Sequence, residues 1–433
     1  MDTPEDIEPG LRREQIEALR VRMEESQRWA TLNISLDEVT AATQDLCVDL
    51  RRFDRIQTIP LLGALLTIPG YQSNCIRLEL LVVLAVMHCR GNKTPNLNDV
   101  TRWYSEIGKS PCVLGEDPAE DLFVTLIQTK TANYRMLEGI WESAGFSTQR
   151  VVHVVMSMPD EGDFGNLKRT VLAILTIADI VCERADLSRY QQGSDARQTA
   201  IVPGKLGRRD ALIARVSLSY EELESLGIFK DDLAPFIVPN KALTALGNQE
   251  VGLTSLDRHP LIDTGRQLIV ALPTSITTAL REFVLWTVSE MGLTEQFDRA
   301  LSLEFAELLR ETSILGDLQH APIMWGKVDL DRLASFSLEI DRGYWIAFHM
   351  FLPSIAKQGS GGFKSLIKLR DNLMHAIRES MSNAERSHEA DSDFRKGIHI
   401  IVGCGWGKGY DGDLPNTGSN LWKVESIGAA DLT

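Results

Sequence analysis

No CxxC pair occurs anywhere in the 433 residues. The six cysteines, Cys47, Cys75, Cys89, Cys112, Cys182 and Cys404, lie scattered through apolar stretches, which argues against a zinc cluster and for buried free thiols. Basic charge is also in short supply. With 45 Lys and Arg against 60 Asp and Glu, the formal net charge is −15, and this excludes a general polyanion binder because affinity for nucleic acid comes mainly from clustered cations. Nucleic acid is left only a local basic groove. Long hydrophobic runs are missing as well: those at 80 to 87 and 171 to 181 are too short or too polar at their edges to span a bilayer of roughly 30 Å. The opening MDTPEDIEPG has neither the basic start nor the apolar stretch of a secretory signal, so a cytoplasmic protein without membrane contact is expected.

What the chain does have is an ordinary globular composition, 44% apolar and 24% charged, in a length too great for one core. Its excess of arginine over lysine points to a GC-rich bacterial genome. The pattern predicts a predominantly helical α+β protein: an irregular helical domain over 1 to 190, a linker at 191 to 209, a mixed α/β domain over 210 to 320 and an α/β domain over 321 to 433. The chain stops soon after Ala429-Ala430-Asp431 with no evident cap, which leads us to expect a longer parent protein.

The helical part is marked by start and stop signals. After an amphipathic, charged helix over 10 to 28, Ser35 and Glu38 form a capping box flanked by Ile34 and Val39, predicting a helix over 36 to 53. A strongly apolar helix over 75 to 89 is expected to end with Gly91 at the position after its cap. Further helices are expected over 99 to 107, 119 to 129, 136 to 144, 149 to 158 and 167 to 184, the second opened by Asp117-Pro118. Beyond the linker, 211 to 219 alternates like a strand. Ser219 and Glu222 cap a short helix closed by Gly227, and 261 to 272 reads as a hairpin turning at Asp263-Thr264-Gly265. Two longer helices follow, over 275 to 291 and 295 to 312.

In the last hundred residues, strict alternation over 335 to 341, a turn at Arg342-Gly343 and the run 344 to 352 predict a second hairpin. A helix over 363 to 384, a strand over 397 to 402, a glycine-rich loop over 403 to 418 and a final strand from about 421 complete the pattern.

Chemistry concentrates in this region. In Arg370-Asp371-Asn372-Leu373-Met374-His375, Arg370 and His375 would supply a cation for a phosphate and an imidazole for proton transfer. The run resembles the Arg-(Asp/Asn/His)-x3-His motif of HEPN ribonucleases, which implies metal-independent RNA cleavage by an all-helical dimer. The plain reading is a surface helix with an incidental histidine. Glu339 and Asp341 share one face of a predicted strand, with His349 on the next, and two carboxylates so placed could hold Mg²⁺ for phosphodiester hydrolysis. The order hairpin, helix, strand is similar to PD-(D/E)xK nucleases, although the second strand, YWIAFHMFL, lacks the lysine that this likeness implies. A half-buried sheet with a solvated polar face is the alternative.

Three other features carry less chemistry, the first reading as a flexible or partner-binding loop and the last as structural. Gly403-Cys404-Gly405-Trp406-Gly407-Lys408-Gly409 follows a strand, but no helix follows it and no Ser or Thr succeeds its Gly-Lys. Asp411 and Asp413 beyond it are weak calcium ligands, and Glu116, Asp117, Glu120 and Asp121 suit a helix N-terminus. The adjacent His88 and Cys89 are the one remaining metal option, without a second pair at ligand spacing. The first expectation is therefore a non-catalytic, cofactor-free helical scaffold that binds a protein partner or itself, as part of a larger bacterial protein. The second is a toxin or phage-defence effector that cleaves nucleic acid through Arg370 and His375, or through Glu339 and Asp341 with Mg²⁺.

Overall fold

The computed structural model describes residues 35–68, 75–108, 122–137, 145–187, 190–191, 207–249, most of 254–304, 334–341, 344–351, 375, 396–403 and 422–428. The fold is predominantly helical α+β, as the sequence predicts. In chain order its elements are α1 (Leu36–Ala42), α2 (Gln44–Leu50), α3 (Arg55–Leu65), α4 (Cys75–His88), α5 (Leu97–Gly108), β1 (Leu122–Gln128), β2 (Asn133–Leu137), α6 (Gly145–Ser157) and α7 (Gly162–Arg184). Then come β3 (Tyr190–Gln191), α8 (Arg209–Val216), β4 (Ser217–Ser219), α9 (Tyr220–Ser225), α10 (Lys230–Leu233), α11 (Asn240–Thr244), α12 (Ser255–Arg258), β5 (Leu261–Asp263), β6 (Gln267–Val270) and α13 (Ile276–Glu290). The last strands are β7 (Ala334–Asp341), β8 (Tyr344–Phe351), β9 (Lys396–Gly403) and β10 (Trp422–Gly428).

Two compact units are built from this chain, one from 1–121, 193–213 and 238–256, the other from 122–192, 214–237 and 257–433. The first unit is organised around α4, whose residues Leu78 to Val86 are buried almost throughout. Against it lies Trp103 of α5, 1% exposed, with Phe53 set edge-on at 4.7 Å and 89°. The Trp103 indole N–H donates to the Asp49 carboxylate at 2.8 Å, and that carboxylate also accepts from Arg102 at 2.5 Å. Helix α5 starts with a reciprocal cap: Asn96 Oδ1 accepts from the Asp99 N–H at 3.0 Å, and Asp99 Oδ2 accepts from the Asn96 N–H at 3.0 Å.

The expected capping box at Ser35 and Glu38 is formed, but the helix it opens breaks at Thr43. There the backbone leaves helical geometry (φ −119°, ψ 36°), and the hydroxyl donates to the Val39 carbonyl at 2.7 Å beside the Thr43 N–H at 2.9 Å, so one predicted helix is divided into α1 and α2. Gly91 is also placed differently. It stands three residues beyond α4 and serves a close approach: a methyl group there would lie 2.2 Å from the Arg52 carbonyl oxygen. At this crossing the Gly91 N–H donates to Phe53 O, Lys93 N–H to Arg52 O and Asp54 N–H to Lys93 O, at 3.0, 3.1 and 2.8 Å.

In the second unit, residues 122 to 137 form a hairpin where helices over 119 to 129 and 136 to 144 were expected. Val124, Thr125 and Ile127 favour a pleated strand, and pairing with β2 overrides the upstream helix signal. The Thr129 hydroxyl closes the turn by donating to Ala132 O at 2.9 Å. Arg135 of β2 is tied to α7 through Asp179, which accepts from its backbone N–H at 2.9 Å and its Nε at 2.7 Å. Residues 209 to 216 are helical, not the expected strand, since Leu212 and Val216 are buried one turn apart; only Ser217–Ser219 is extended. Arg184 caps that helix by donating to Ala214 O and Ser217 O at 2.7 and 2.8 Å, and pairs with Glu222. The Ser219 cap, the turn at Gly227 (φ 74°) and the β5–β6 hairpin are as predicted.

The final sheet has the order β10-β9-β8-β7. The hairpin β7–β8 is antiparallel, whereas β8, β9 and β10 run parallel. Residues 352 to 395 and 404 to 421 are therefore crossover connections, because parallel neighbours cannot be joined by a tight turn. The charged helix over 10 to 28, the linker after 191, Asp117-Pro118, the acidic cluster from 116 to 121 and most of 363 to 384 lie outside the described residues.

Candidate functional site

Register across the last sheet decides which of its candidate residues stand together. Asp341 pairs with Tyr344 and Tyr344 with Lys396, so Asp341 and Lys396 occupy one row two strands apart, roughly 10 Å between backbones. The neighbouring row is Glu339, Trp345, Gly397 and Trp422. Between Glu339 and Asp341 the ladder shifts by one residue, and because their partners Trp345 and Tyr344 are successive residues of β8, this bulge sets the two carboxylates in rows on opposite faces of the sheet, not on the one face that strict alternation predicts. His349 pairs with Ser335, four positions along β8 from the Glu339 row, or roughly 13 Å away. That separation removes it from any site built on the two carboxylates.

Lys396 is the residue that sequence reasoning missed. The hairpin lacks a lysine, and the one that reaches its level arrives 55 positions later in the chain, at the first residue of β9. Only the strand pairing discloses it. Gly403, where the glycine-rich run begins, ends the same strand at the opposite edge of the sheet, roughly 23 Å from the Lys396 row. Asp411 and Asp413 lie outside the described residues, as does Arg370. His375 is helical and exposed, in the crossover between the parallel strands β8 and β9.

The titratable groups of the helical unit are occupied structurally. Burial pushes the Cys89 thiol up to about 12, which keeps it protonated, and in the second unit the Cys182 thiol rises to about 12 for the same reason. His88 contacts the Thr40 hydroxyl at 3.2 Å, and its imidazole is held below the usual range by burial and then by Arg51 and Arg90. Among the described residues no group of three His, Cys, Asp or Glu side chains is placed to hold a metal, and no helix is long and apolar enough to cross a membrane.

The depressed His88 pKa has a consequence for stability. An unfolded chain takes up a proton at about pH 6.5 that folded His88 resists, so its contribution is present above that pH and is lost as pH falls below it. Thermal melts should show the wild-type midpoint dropping between pH 7.5 and 5.5. His88→Gln should flatten this slope, and an unchanged slope would refute the assignment.

In the second unit, Asp263 accepts from the Tyr220 hydroxyl at 2.6 Å and pairs with Lys230 at 2.5 Å. Burial alone would raise its pKa, but Lys230, Tyr220 and the Gly265 N–H together bring it down, and the Tyr220 hydroxyl rises in turn through burial and the adjacent carboxylate. The trio packs the β5–β6 turn against α9 and α10. Gln149 makes a paired contact with the backbone of Gln128, accepting from its N–H at 2.7 Å and donating to its carbonyl at 3.0 Å, and His153 lies between that carbonyl and Glu304. Both clusters brace local structure.

No curated protein and no solved structure matches the chain. One family model does, described as Upx-like, anti-phage protein Upx-like, and it aligns with residues 25–433. All the described residues of both units, the whole of the last sheet included, lie in the matched span, and the chain belongs to the Upx-like family of anti-phage proteins.

Proposed function

We propose that this protein acts in defence against phage by cleaving nucleic acid at the end of its last sheet, with Asp341 as a ligand for Mg²⁺, Lys396 in the same row stabilising charge on the scissile phosphate, and Glu339 outside the site in the adjacent row. The observation that carries the reading is the row Asp341, Tyr344, Lys396. A carboxylate and a lysine in one row supply what metal-assisted phosphodiester hydrolysis requires: a hard oxygen ligand for the cation and a positive charge for the developing negative one. The family match supports the defence setting. Metal-independent cleavage by Arg370 and His375 fits less well, because His375 lies in a connection between two parallel strands, whereas the HEPN likeness implies an all-helical bundle. The helical unit serves on this reading as the part that meets a partner.

The test is cleavage of labelled RNA and DNA by the full chain with Mg²⁺ and with EDTA. Cutting should require Mg²⁺, and Asp341→Asn and Lys396→Ala should each lower its rate about a hundredfold, the scale of losing one charge-stabilising group. His375→Ala should leave the rate unchanged. Cutting that survives EDTA and is lost in His375→Ala would transfer the activity to the other motif. No cutting, with phage plaque counts on cells expressing Asp341→Asn as low as on wild-type cells, would return the protein to the class of scaffolds.

A further inference from the structure

Register divides the last sheet into two unlike faces. The rows Leu338-Ile346-Ile398 and Phe336-Phe348-Ile400 share one of them, with charge only at the β10 edge, where Lys423 and Glu425 end these rows. On the other face the rows Ser337-Ala347-His399-Val424 and Ser335-His349-Ile401-Ser426 have polar residues in the majority. A sheet of this kind buries its apolar face and leaves the polar one toward solvent.

At the end of the polar face stands the row Glu339, Trp345, Gly397, Trp422. Two large aromatic residues thus share the face that a core would not claim. Between them lies a glycine, with no side chain to occupy the interval. Trp345 and Trp422 are two strands apart, roughly 10 Å between backbones. A pair that packs on itself sits on adjacent strands, about 5 Å apart. Centroids of stacked rings stand about 4.5 Å or more apart, so one planar ring held between two others takes up about 9 Å. The interval over Gly397 is that of a single inserted ring.

We infer that Trp345 and Trp422 form a stacking site for one unpaired nucleobase over Gly397, which makes single-stranded nucleic acid the substrate of the cleavage site proposed above. The inference rests on that reading for the class of its ligand. Tyr344 and Lys396 are the first residues of β8 and β9, and the tryptophan row is the next one along, roughly 3 Å further. The two rows lie on opposite faces but meet at the end of the sheet, so a nucleotide that rounds this end sets its base in one and its phosphate at the other. A paired base is held in its duplex stack and cannot enter such a slot. Stacking also suits a chain of formal charge −15, because it supplies affinity without a long basic track. Every base has a π-face, so little sequence preference is expected.

Fluorescence anisotropy of labelled strands of about 12 nucleotides, in EDTA so that Mg²⁺-dependent cutting is blocked, tests the site in the full chain. A single strand should bind at least about tenfold more tightly than a hairpin duplex, an abasic strand of equal length or free AMP added as competitor. Trp345→Leu and Trp422→Leu keep apolar bulk without a π-face, and each should weaken binding about tenfold, whereas Trp422→Phe should hold it within about threefold. A purely structural pair would not separate Leu from Phe in variants that melt alike. The abasic comparison needs no variant and decides the matter even where a leucine variant unfolds. Binding unchanged in both leucine variants, or equal for duplex or abasic strand, would overturn the site; free AMP bound as tightly as the strand would overturn the substrate class. A chain that binds the single strand but never cuts it would keep the base site and overturn cleavage, whereas Mg²⁺-dependent cutting without preference for single strands would do the reverse.

Discussion

Gly91→Ala is expected to destabilise the protein by about 3 kcal/mol, more than most single surface changes, although the residue gains only a methyl group. The new carbon would sit 2.2 Å from the Arg52 carbonyl oxygen and 2.9 Å from that of Arg51. Both obstacles are backbone, so neither can swing aside as a side chain would. Relief requires the two segments to part, at the expense of hydrogen bonds from Gly91 to Phe53, Lys93 to Arg52 and Asp54 to Lys93. Each such bond contributes about 1 kcal/mol net. Chemical denaturation of wild type and variant measures the difference directly. A loss under 1 kcal/mol would mean that the crossing is looser than its geometry.

Trp103→Ala should cost about 3 to 5 kcal/mol, the range for emptying a buried aromatic site. Two losses combine there. The cavity left beside Phe53 forfeits the edge-on ring contact, and Asp49 loses its indole N–H while remaining bonded to Arg102. Trp103→Phe separates them in large part, since it keeps an aromatic ring and most of the volume while removing the donor. Its expected cost is about 1 kcal/mol. Should the two variants prove equally unstable, the hydrogen bond to Asp49 would outweigh the ring packing and the cavity account would fail.

Much of this fold can be read from local pattern. The hairpin over 335 to 351 is announced by strict alternation around Arg342-Gly343, and the apolar run of α4 and the Ser219 cap are equally plain. Elements that depend on distant residues are not. Val124, Thr125 and Ile127 suit a helix face or a strand face, and pairing with β2 makes the choice. Thr43 looks like any mid-helix threonine until burial turns its hydroxyl onto Val39. The candidate sites divide in the same way. Glu339 and Asp341 are visible as two carboxylates on one strand, but Lys396 is a strand-initial lysine of no distinction until parallel pairing sets it level with Asp341.

The division of the first unit among three stretches of chain bears on how it is made. Its opening helix is tied to its last stretch by the Leu36 N–H, which donates to the Gln249 carbonyl at 2.9 Å. A ribosome adds about 5 to 20 residues per second, so the roughly 200 residues between them take on the order of 10 to 40 s to translate. Over that interval α1 to α5 are made in turn while the stretch that completes their unit has yet to be synthesised. A nascent chain halted before residue 238 would hold all five helices and none of the residues 238–256 that finish their core.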